Sequence, residues 1–178
     1  MEGWKMTLPF RDSTVIECTV RAALEVSSRV ILVTGYRGAE TAALFAAWQG
    51  VEVAENPGYA RGMFSSLRVG AGRVRTGRAF IALGDMPLVG PEIYRALLEA
   101  PPLEVVVPSF KGKKGHPLLV GSRVIGGILA APGSSTLREV LGEFPILCLP
   151  VACASVVHDI DSPEDYQELF NNQERSMR

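Results

Sequence analysis

The sequence alternates short apolar runs with segments of helical periodicity, and this alternation constrains the fold more than any other feature. The apolar runs have the length and the β-branched content of buried strands. They lie at residues 29–34, 51–54, 79–83, 103–107, 118–120, 146–149 and 155–158. Helices are predicted at residues 14–26, 40–49, 63–69, 90–99, 123–130, 136–142 and 162–170. Strands joined through helices predict an α/β fold with a mostly parallel sheet that helices cover on both faces.

Length and charge narrow the class of protein further. The 178 residues fit one domain spanning 1–178, and 47% of them are hydrophobic, which is enough for a real core. The net charge of −1 argues against partners that need a basic field, so we expect neither nucleic-acid nor membrane-surface binding. The first residues lack the apolar stretch of a signal peptide. We therefore expect a cytoplasmic protein.

Three polar segments each follow a predicted strand: residues 56–66, Asp85, and residues 159–161. In open α/β sheets ligands bind beyond the carboxyl ends of the strands, so these segments are candidates for one cleft. The carboxylate of Asp85 suits a hard cation such as Mg²⁺, which usually takes one or two carboxylates and completes its shell with phosphates and water. An Asp that caps a turn or the next helix is the alternative.

The Asp-x-Asp sequence at 159–161 offers two more carboxylates. If a strand continues through Ile160, Asp159 and Asp161 face the same side, where they repel unless a cation lies between them. Alternatively, Asp161 caps the helix predicted to begin at Ser162 or Pro163.

Residues 56–66 (NPGYARGMFSS) combine glycines with hydroxyls at a predicted helix start. Gly58 and Gly62 permit close backbone approach, and Ser65 and Ser66 suit an anion or a nucleobase edge. An ordinary Gly/Pro turn followed by a helix cap is equally consistent with these residues. His116, in the polar loop 111–117, is either a substrate contact or a turn residue, and Lys5 taken alone reads as a solvent-exposed lysine.

Five blocks in this order resemble one family, and together they span nearly the whole chain. They are WKMTLPF (4–10), ENPGYARGMFSSLRVG (55–70), LGDMPLV (83–89), GKKGHPLLVG (112–121) and HDIDSPEDY (158–166). The chain resembles the molybdenum-cofactor cytidylyltransferases, which are MobA-like nucleotidyltransferases. The GHP block and the DID form of the last block favour the cytidylyl branch over the guanylyl branch.

This resemblance implies a three-layer αβα, Rossmann-like fold and transfer of CMP from CTP, or from another NTP, to molybdopterin or molybdenum cofactor. A molybdoenzyme or its maturation factor is a further implied partner. By the same likeness Asp85 binds Mg²⁺ with Asp159 or Asp161, and Lys5 neutralises the triphosphate. Asn56, Gly62, Ser65 and Ser66 then lie near the nucleotide or the acceptor, and His116 faces the pterin.

The family also has a first strand and a Gly-rich loop ahead of the matching lysine, and no counterpart precedes Lys5 here. We therefore expect a sheet that lacks its first strand, with a gap or re-paired neighbours, and weak nucleotide binding. A misassigned start or a truncation is the favoured explanation. A short natural relative, completed by a partner or by a second subunit, is the other.

Two other functions remain open from the sequence. The same fold serves nucleotidyltransferases with other phosphorylated acceptors, such as a sugar phosphate. The absence of the Gly-rich loop ahead of Lys5 also fits a catalytically inactive binding or scaffold module.

Overall fold

A computed structural model describes residues 4–160 and 165–167. The helices in it are α1 (Val15–Leu24), α2 (Gly38–Leu44), α3 (Met63–Ala71), α4 (Pro91–Glu99), α5 (Ser122–Ala130) and α6 (Leu137–Leu141). The strands are β1 (Pro9–Phe10), β2 (Ser13–Thr14), β3 (Val30–Thr34), β4 (Val51–Glu55), β5 (Arg78–Ile81), β6 (Val105–Phe110), β7 (Lys113–Lys114), β8 (Leu118–Gly121) and β9 (Ile146–Pro150). Short 3₁₀ helices cover Lys5–Thr7, Tyr59–Arg61 and Ala154–Val157.

The larger sheet has the order β5-β8-β6-β7, and β9 pairs with β6. β9 is parallel to β6, whereas β8 is antiparallel to both β5 and β6. β5, β6 and β9 therefore run in one direction, as predicted, and β7 and β8 run in the other. The loop 111–117 between β6 and β8 is too short for a parallel crossover, which needs a dozen or more residues, so this part of the sheet is mixed.

Helices cover both faces of this sheet. Alternate strand residues point to opposite faces, and Val106 and Leu119 pack in one cluster with Tyr94 and Leu97 of α4. The other face, with Val105, Val107, Leu118 and Val120, packs against α3, α5 and α6. Two helical layers around one sheet give the predicted αβα architecture.

α1 begins at a capping box. The Thr14 hydroxyl accepts a hydrogen bond from the Glu17 amide, and the Glu17 carboxylate accepts one from the Thr14 amide. Ile16 and Val20 of this helix are buried against a cluster that includes Leu32 of β3. The amphipathic helix thus holds β3 and its partner β4 to the rest of the molecule.

The sheet is interrupted between β3 and β5. β3 pairs in parallel with β4 along its whole length, from Val30↔Val51 to Thr34↔Glu55, and forms a separate two-stranded sheet. Every residue of β3 and of β5 lines one cavity of about 670 Å³, which we call the strand slot. Within the described residues, neither strand pairs with another strand on the edge that faces the slot. The expected gap in the sheet is therefore present among the described residues.

One predicted strand is wrong. Residues 155–158 were expected to be a strand, but Ala154–Val157 form a 3₁₀ helix. A short apolar run has no periodicity that separates strand from helix, and here the Val156 carbonyl accepts a hydrogen bond from the His116 amide rather than from a sheet neighbour. Of the helix predicted at 162–170, residues 165–167 are helical and the rest lies outside the described residues.

In the part of the chain that the structure describes, no helix is both long and apolar enough to cross a membrane.

Candidate active site

Lys5 and Asp85 form an ion pair beyond the end of β5. The Lys5 ammonium donates a hydrogen bond to Asp85 Oδ2 at 2.6 Å, and the two side chains are 29% and 13% exposed. Lys5 begins the 3₁₀ helix Lys5–Thr7, so the first described turn of the chain lies against the carboxyl end of this strand. The sequence predicted that both residues belong to one site, and the structure brings them into contact.

The turn that carries Asp85 is fixed by α1. The Thr19 hydroxyl donates to the Gly84 carbonyl at 3.1 Å and also to the Val15 carbonyl of its own helix. A Cβ at position 84 would lie 2.7 Å from Ile16 Cδ1, so any larger residue there would require the end of the Ile16 side chain to shift. The Gly84–Asp85 sequence therefore serves to set the carboxylate at the rim of the sheet.

Asp159 lies on the same rim. The Ile160 amide donates to the Asp85 carbonyl at 3.1 Å, and the Ile160 side chain is fully buried in a cluster with Phe10 and Val15. This anchor leaves the neighbouring Asp159 exposed beside Asp85. Asp161, the third predicted ligand, lies outside the described residues. No group of three or more His, Cys, Asp or Glu side chains within 4–160 and 165–167 is arranged to hold a metal.

His116 is held at this rim by backbone contacts. Its amide donates to the Val156 carbonyl at 2.8 Å, and its Nδ1 lies 3.4 Å from the Ile81 carbonyl oxygen. Burial lowers the pKa of His116, while the Ile81 carbonyl and the charges of Asp85 and Asp159 act in the opposite direction. A pKa below the ordinary 6.5 leaves the imidazole neutral near pH 7.

Gly115 explains why His116 sits so close to the 3₁₀ helix Ala154–Val157. A Cβ at position 115 would lie 2.0 Å from the Val156 carbonyl oxygen, which is backbone and has no room to move aside. The glycine before the histidine is thus a requirement of packing. It couples the loop 111–117 to the segment that leads to Asp159.

Asn56 organises the second part of the rim, beyond the end of β4. Its side chain is buried, and its amide nitrogen donates to both Ser65 Oγ and Ser66 Oγ at 2.9 Å. Its Oδ1 accepts from the Gly58 amide at 2.9 Å. Both amide hydrogens are therefore used inside the loop, and contact of Asn56 with a ligand stays a prediction.

Gly62 closes this loop at the start of α3. It has a positive φ of 99°, which favours glycine, and a Cβ there would meet no atom within 4 Å. The Ser65 hydroxyl donates to the Gly62 carbonyl at 2.8 Å, whereas Ser66 lines the strand slot. Of the two predicted hydroxyls, Ser66 is thus the one that lines this cavity.

An aromatic chain that the sequence analysis missed connects the two parts of the rim. The Trp4 and Tyr36 rings lie 6.4 Å apart, and Tyr36 and Tyr59 lie 6.5 Å apart, both edge to face. Tyr36 follows the end of β3 and is 61% exposed, and Tyr59 is 43% exposed. Tyrosines in the loops that follow two strands were the available signal, because that edge of an α/β sheet is where ligands bind.

Comparison with known proteins agrees with this arrangement. Residues 1–147 match the MobA-like NTP transferase domain. The molybdenum cofactor cytidylyltransferase of Escherichia coli K12 is 31% identical over 166 residues, which cover 93% of this chain and 86% of that protein.

Solved structures share the fold. Rv0371c of Mycobacterium tuberculosis H37Rv in complex with manganese has a TM-score of 0.78 and 29% identity, covering 94% of this chain and 91% of that one. A nucleotidyl transferase of Methanothermobacter, at 22% identity, covers 97% of this chain and 86% of its own with a TM-score of 0.82, and it supports the fold alone. This chain is therefore a member of the MobA-like nucleotidyltransferase family.

Proposed function

We propose that this chain transfers CMP from CTP to molybdopterin or molybdenum cofactor, with release of pyrophosphate. The observation that carries the proposal is the Lys5–Asp85 pair, with Asp159 beside it on one rim. The likeness to the Escherichia coli cytidylyltransferase supports CTP and the pterin acceptor. A molybdoenzyme or its maturation factor would then receive the product.

The carboxylates at this rim fit a magnesium ion. Asp85 and Asp159 supply the one or two protein carboxylates that Mg²⁺ takes, and Asp161 would be a third candidate from the same segment. When bound, the ion would screen phosphate charge at the reacting centre. The manganese in the Mycobacterium tuberculosis relative supports a divalent cation in this fold.

The reaction brings two anions together, so the protein must supply positive charge and alignment. An oxygen of the acceptor phosphate attacks the α-phosphorus of CTP, and the bond from that phosphorus to the β-phosphate oxygen breaks to release pyrophosphate. Lys5 would neutralise negative charge on the triphosphate, and Asp85 would orient the Lys5 ammonium before the nucleotide arrives. No covalent intermediate on the protein is needed.

His116 would position the acceptor rather than neutralise it. Because burial lowers its pKa, the neutral imidazole offers a hydrogen bond without charge. The loop held by Asn56, with Gly62, Ser65 and Ser66, would face the nucleotide from the other part of the rim. This division of roles follows from the two polar groups lying on either side of the strand slot.

The test is pyrophosphate release from CTP with molybdopterin and Mg²⁺, with GTP as the competing nucleotide. We expect CTP to be preferred and Asp85→Ala to abolish metal-dependent release. Asp12→Asn is the matched control, because the Asp12 carboxylate is exposed and lies 3.5 Å from the Arg21 guanidinium, in the turn between β1 and β2. If pyrophosphate release depends on a sugar phosphate instead of molybdopterin, the proposed acceptor is wrong. If pyrophosphate release is unchanged in Asp85→Ala, the proposed site is wrong.

A further inference from the structure

Tyr36 presents an aromatic ring to solvent beside the candidate active site. It lies just past the end of β3, and its side chain is 61% exposed. Six large hydrophobic side chains are exposed among the described residues, and three of them, Tyr36, Tyr59 and Met63, follow β3 or β4 at this one edge. Exposed apolar side chains that gather in one place mark a binding surface more often than scattered ones do.

The turn that carries Tyr36 is held in an uncommon conformation. Arg37 has a positive φ of 51°, and the Gly38 amide donates to the Gly35 carbonyl at 2.9 Å to close the turn. Arg37 Nε donates to Glu40 Oε1 at 2.7 Å, which ties the guanidinium to α2. A residue other than glycine costs free energy in the left-handed region, and such residues concentrate at ligand-binding sites. The turn thus fixes where the Tyr36 ring stands.

Two neighbouring rings brace the Tyr36 side chain. The Trp4 and Tyr59 rings both meet it edge to face. Tyr59 itself packs on the backbone of Gly35, because a Cβ at position 35 would lie 2.5 Å from Tyr59 Cβ. These contacts limit the motion of the Tyr36 ring, so a ligand that covers it has little further side-chain entropy to remove.

The braced ring lies next to the charges that would meet phosphate. Trp4 contacts Tyr36, and the adjacent Lys5 ammonium binds Asp85. A flat aromatic surface close to a cation suits a ligand that joins a planar ring to a phosphate. Both substrates of the proposed reaction have this form, since CTP carries a cytosine and the acceptor carries a pterin.

We propose that Tyr36 is a substrate-binding residue that stacks on a planar nitrogen heterocycle, either cytosine or pterin. This role rests on the proposed function. Stacking on an aromatic side chain tolerates many heterocycles, because each has a π face, so the shared chemistry defines the ligand and separate probes distinguish the two sources. The stacked ring would hold the substrate so that its phosphate reaches Lys5.

Two titrations of the whole chain test the stacking. CTP with Mg²⁺ is measured by calorimetry, and neopterin, which carries a pterin without a phosphate, is measured by quenching of its own fluorescence. We expect Tyr36→Ala to weaken at least one probe by about fivefold or more, and Tyr36→Phe to keep that affinity within about twofold, because the ring and not the hydroxyl makes the contact. The probe that loses affinity identifies the stacked ring.

A probe without a ring and a distant variant are the controls. Inorganic tripolyphosphate with Mg²⁺ should bind Tyr36→Ala as well as it binds the unaltered chain. Leu103→Ala removes an exposed apolar side chain ahead of β6, at the opposite edge of the sheet, and should leave all the affinities unchanged. The proposal is overturned if neither ring probe binds saturably, if Tyr36→Ala keeps both affinities, if Tyr36→Phe loses as much as Tyr36→Ala, or if tripolyphosphate binding falls in parallel.

Pyrophosphate release separates this inference from the proposed reaction. If Asp85→Ala abolishes release while Tyr36→Ala keeps full affinity for both rings, the reaction stands and the stacking role is wrong. If Tyr36→Ala loses affinity for a ring although the unaltered chain releases no pyrophosphate, the stacking role stands and the proposed reaction is wrong.

Discussion

The Lys5 ammonium lies 2.6 Å from Asp85 Oδ2, although 80 residues separate the two in sequence. One carboxylate oxygen of the proposed metal ligand is thus already bound to a cation supplied by the protein. If the proposed metal site is right, Lys5 and a divalent cation would compete for Asp85, and a triphosphate would draw both towards its own oxygens. The pair therefore allows the roles of the two residues to be separated by experiment.

We predict that Lys5→Met tightens Mn²⁺ binding and weakens binding of CTP. Removal of the ammonium frees Asp85 Oδ2 and takes away a positive charge next to the site. Asp85→Asn should have the opposite effect on the metal affinity and weaken Mn²⁺ binding by at least about tenfold. Electron paramagnetic resonance of free Mn²⁺ and calorimetry with CTP measure the two affinities. Weaker Mn²⁺ binding in Lys5→Met would contradict the competition.

The sequence predicted this pair only through family likeness. By composition alone, Lys5 is one lysine near a terminus, and nothing local shows that residues 5 and 85 meet. The position of Asp85 after a strand was predictable, because the apolar run 79–83 followed by Gly84 indicates where the strand ends. The contact itself depends on how α1 packs on Gly84, which is a tertiary property.

Other features could not be predicted because they depend on neighbours distant in sequence. The segment 155–158 has the composition of a strand, but Ala154–Val157 form a 3₁₀ helix, and the Val156 carbonyl accepts a hydrogen bond from the distant His116 amide. The hydrogen bonds from the Asn56 amide to Ser65 and Ser66 are a second example, because they depend on the turn at Gly62 that brings the three side chains together. The gap between β3 and β5, in contrast, was expected from the family resemblance and is present among the described residues.

Asn56→Ala should destabilise the protein by about 3 kcal/mol, because it removes three hydrogen bonds at a buried position and leaves the Gly58 amide without its acceptor. Ser66→Ala removes one of these bonds and should cost about 1 kcal/mol. Urea unfolding followed by circular dichroism measures both changes. Equal losses in the two variants would show that the loop is not organised around Asn56.

Gly115→Ala should destabilise the protein, since its Cβ would lie 2.0 Å from the Val156 carbonyl oxygen and the backbone would have to separate. We also expect it to weaken Mn²⁺ binding, because the displaced 3₁₀ helix leads to Asp159. Gly126→Ala is the matched control. Position 126 lies in α5 with nothing within 4 Å of a new Cβ, so this change should stabilise the protein by about 0.5–1 kcal/mol. Thermal unfolding of both variants shows whether the signs differ.

The stability of the protein should fall as the pH drops below about 6.5, and His116 should account for part of that loss. Burial lowers the pKa of His116 from its ordinary value of 6.5, so between 6.5 and the lower pKa of the folded state the unfolded chain binds a proton that the folded chain does not. The free energy of unfolding then decreases with falling pH over this window and is fully retained above it. His116→Asn should flatten the slope measured by urea unfolding between pH 7 and pH 5, whereas His158→Asn, at an exposed position, should keep it. An unchanged slope in His116→Asn would mean that the imidazole is solvated in the folded protein, and the neutral positioning role proposed for it would then be wrong.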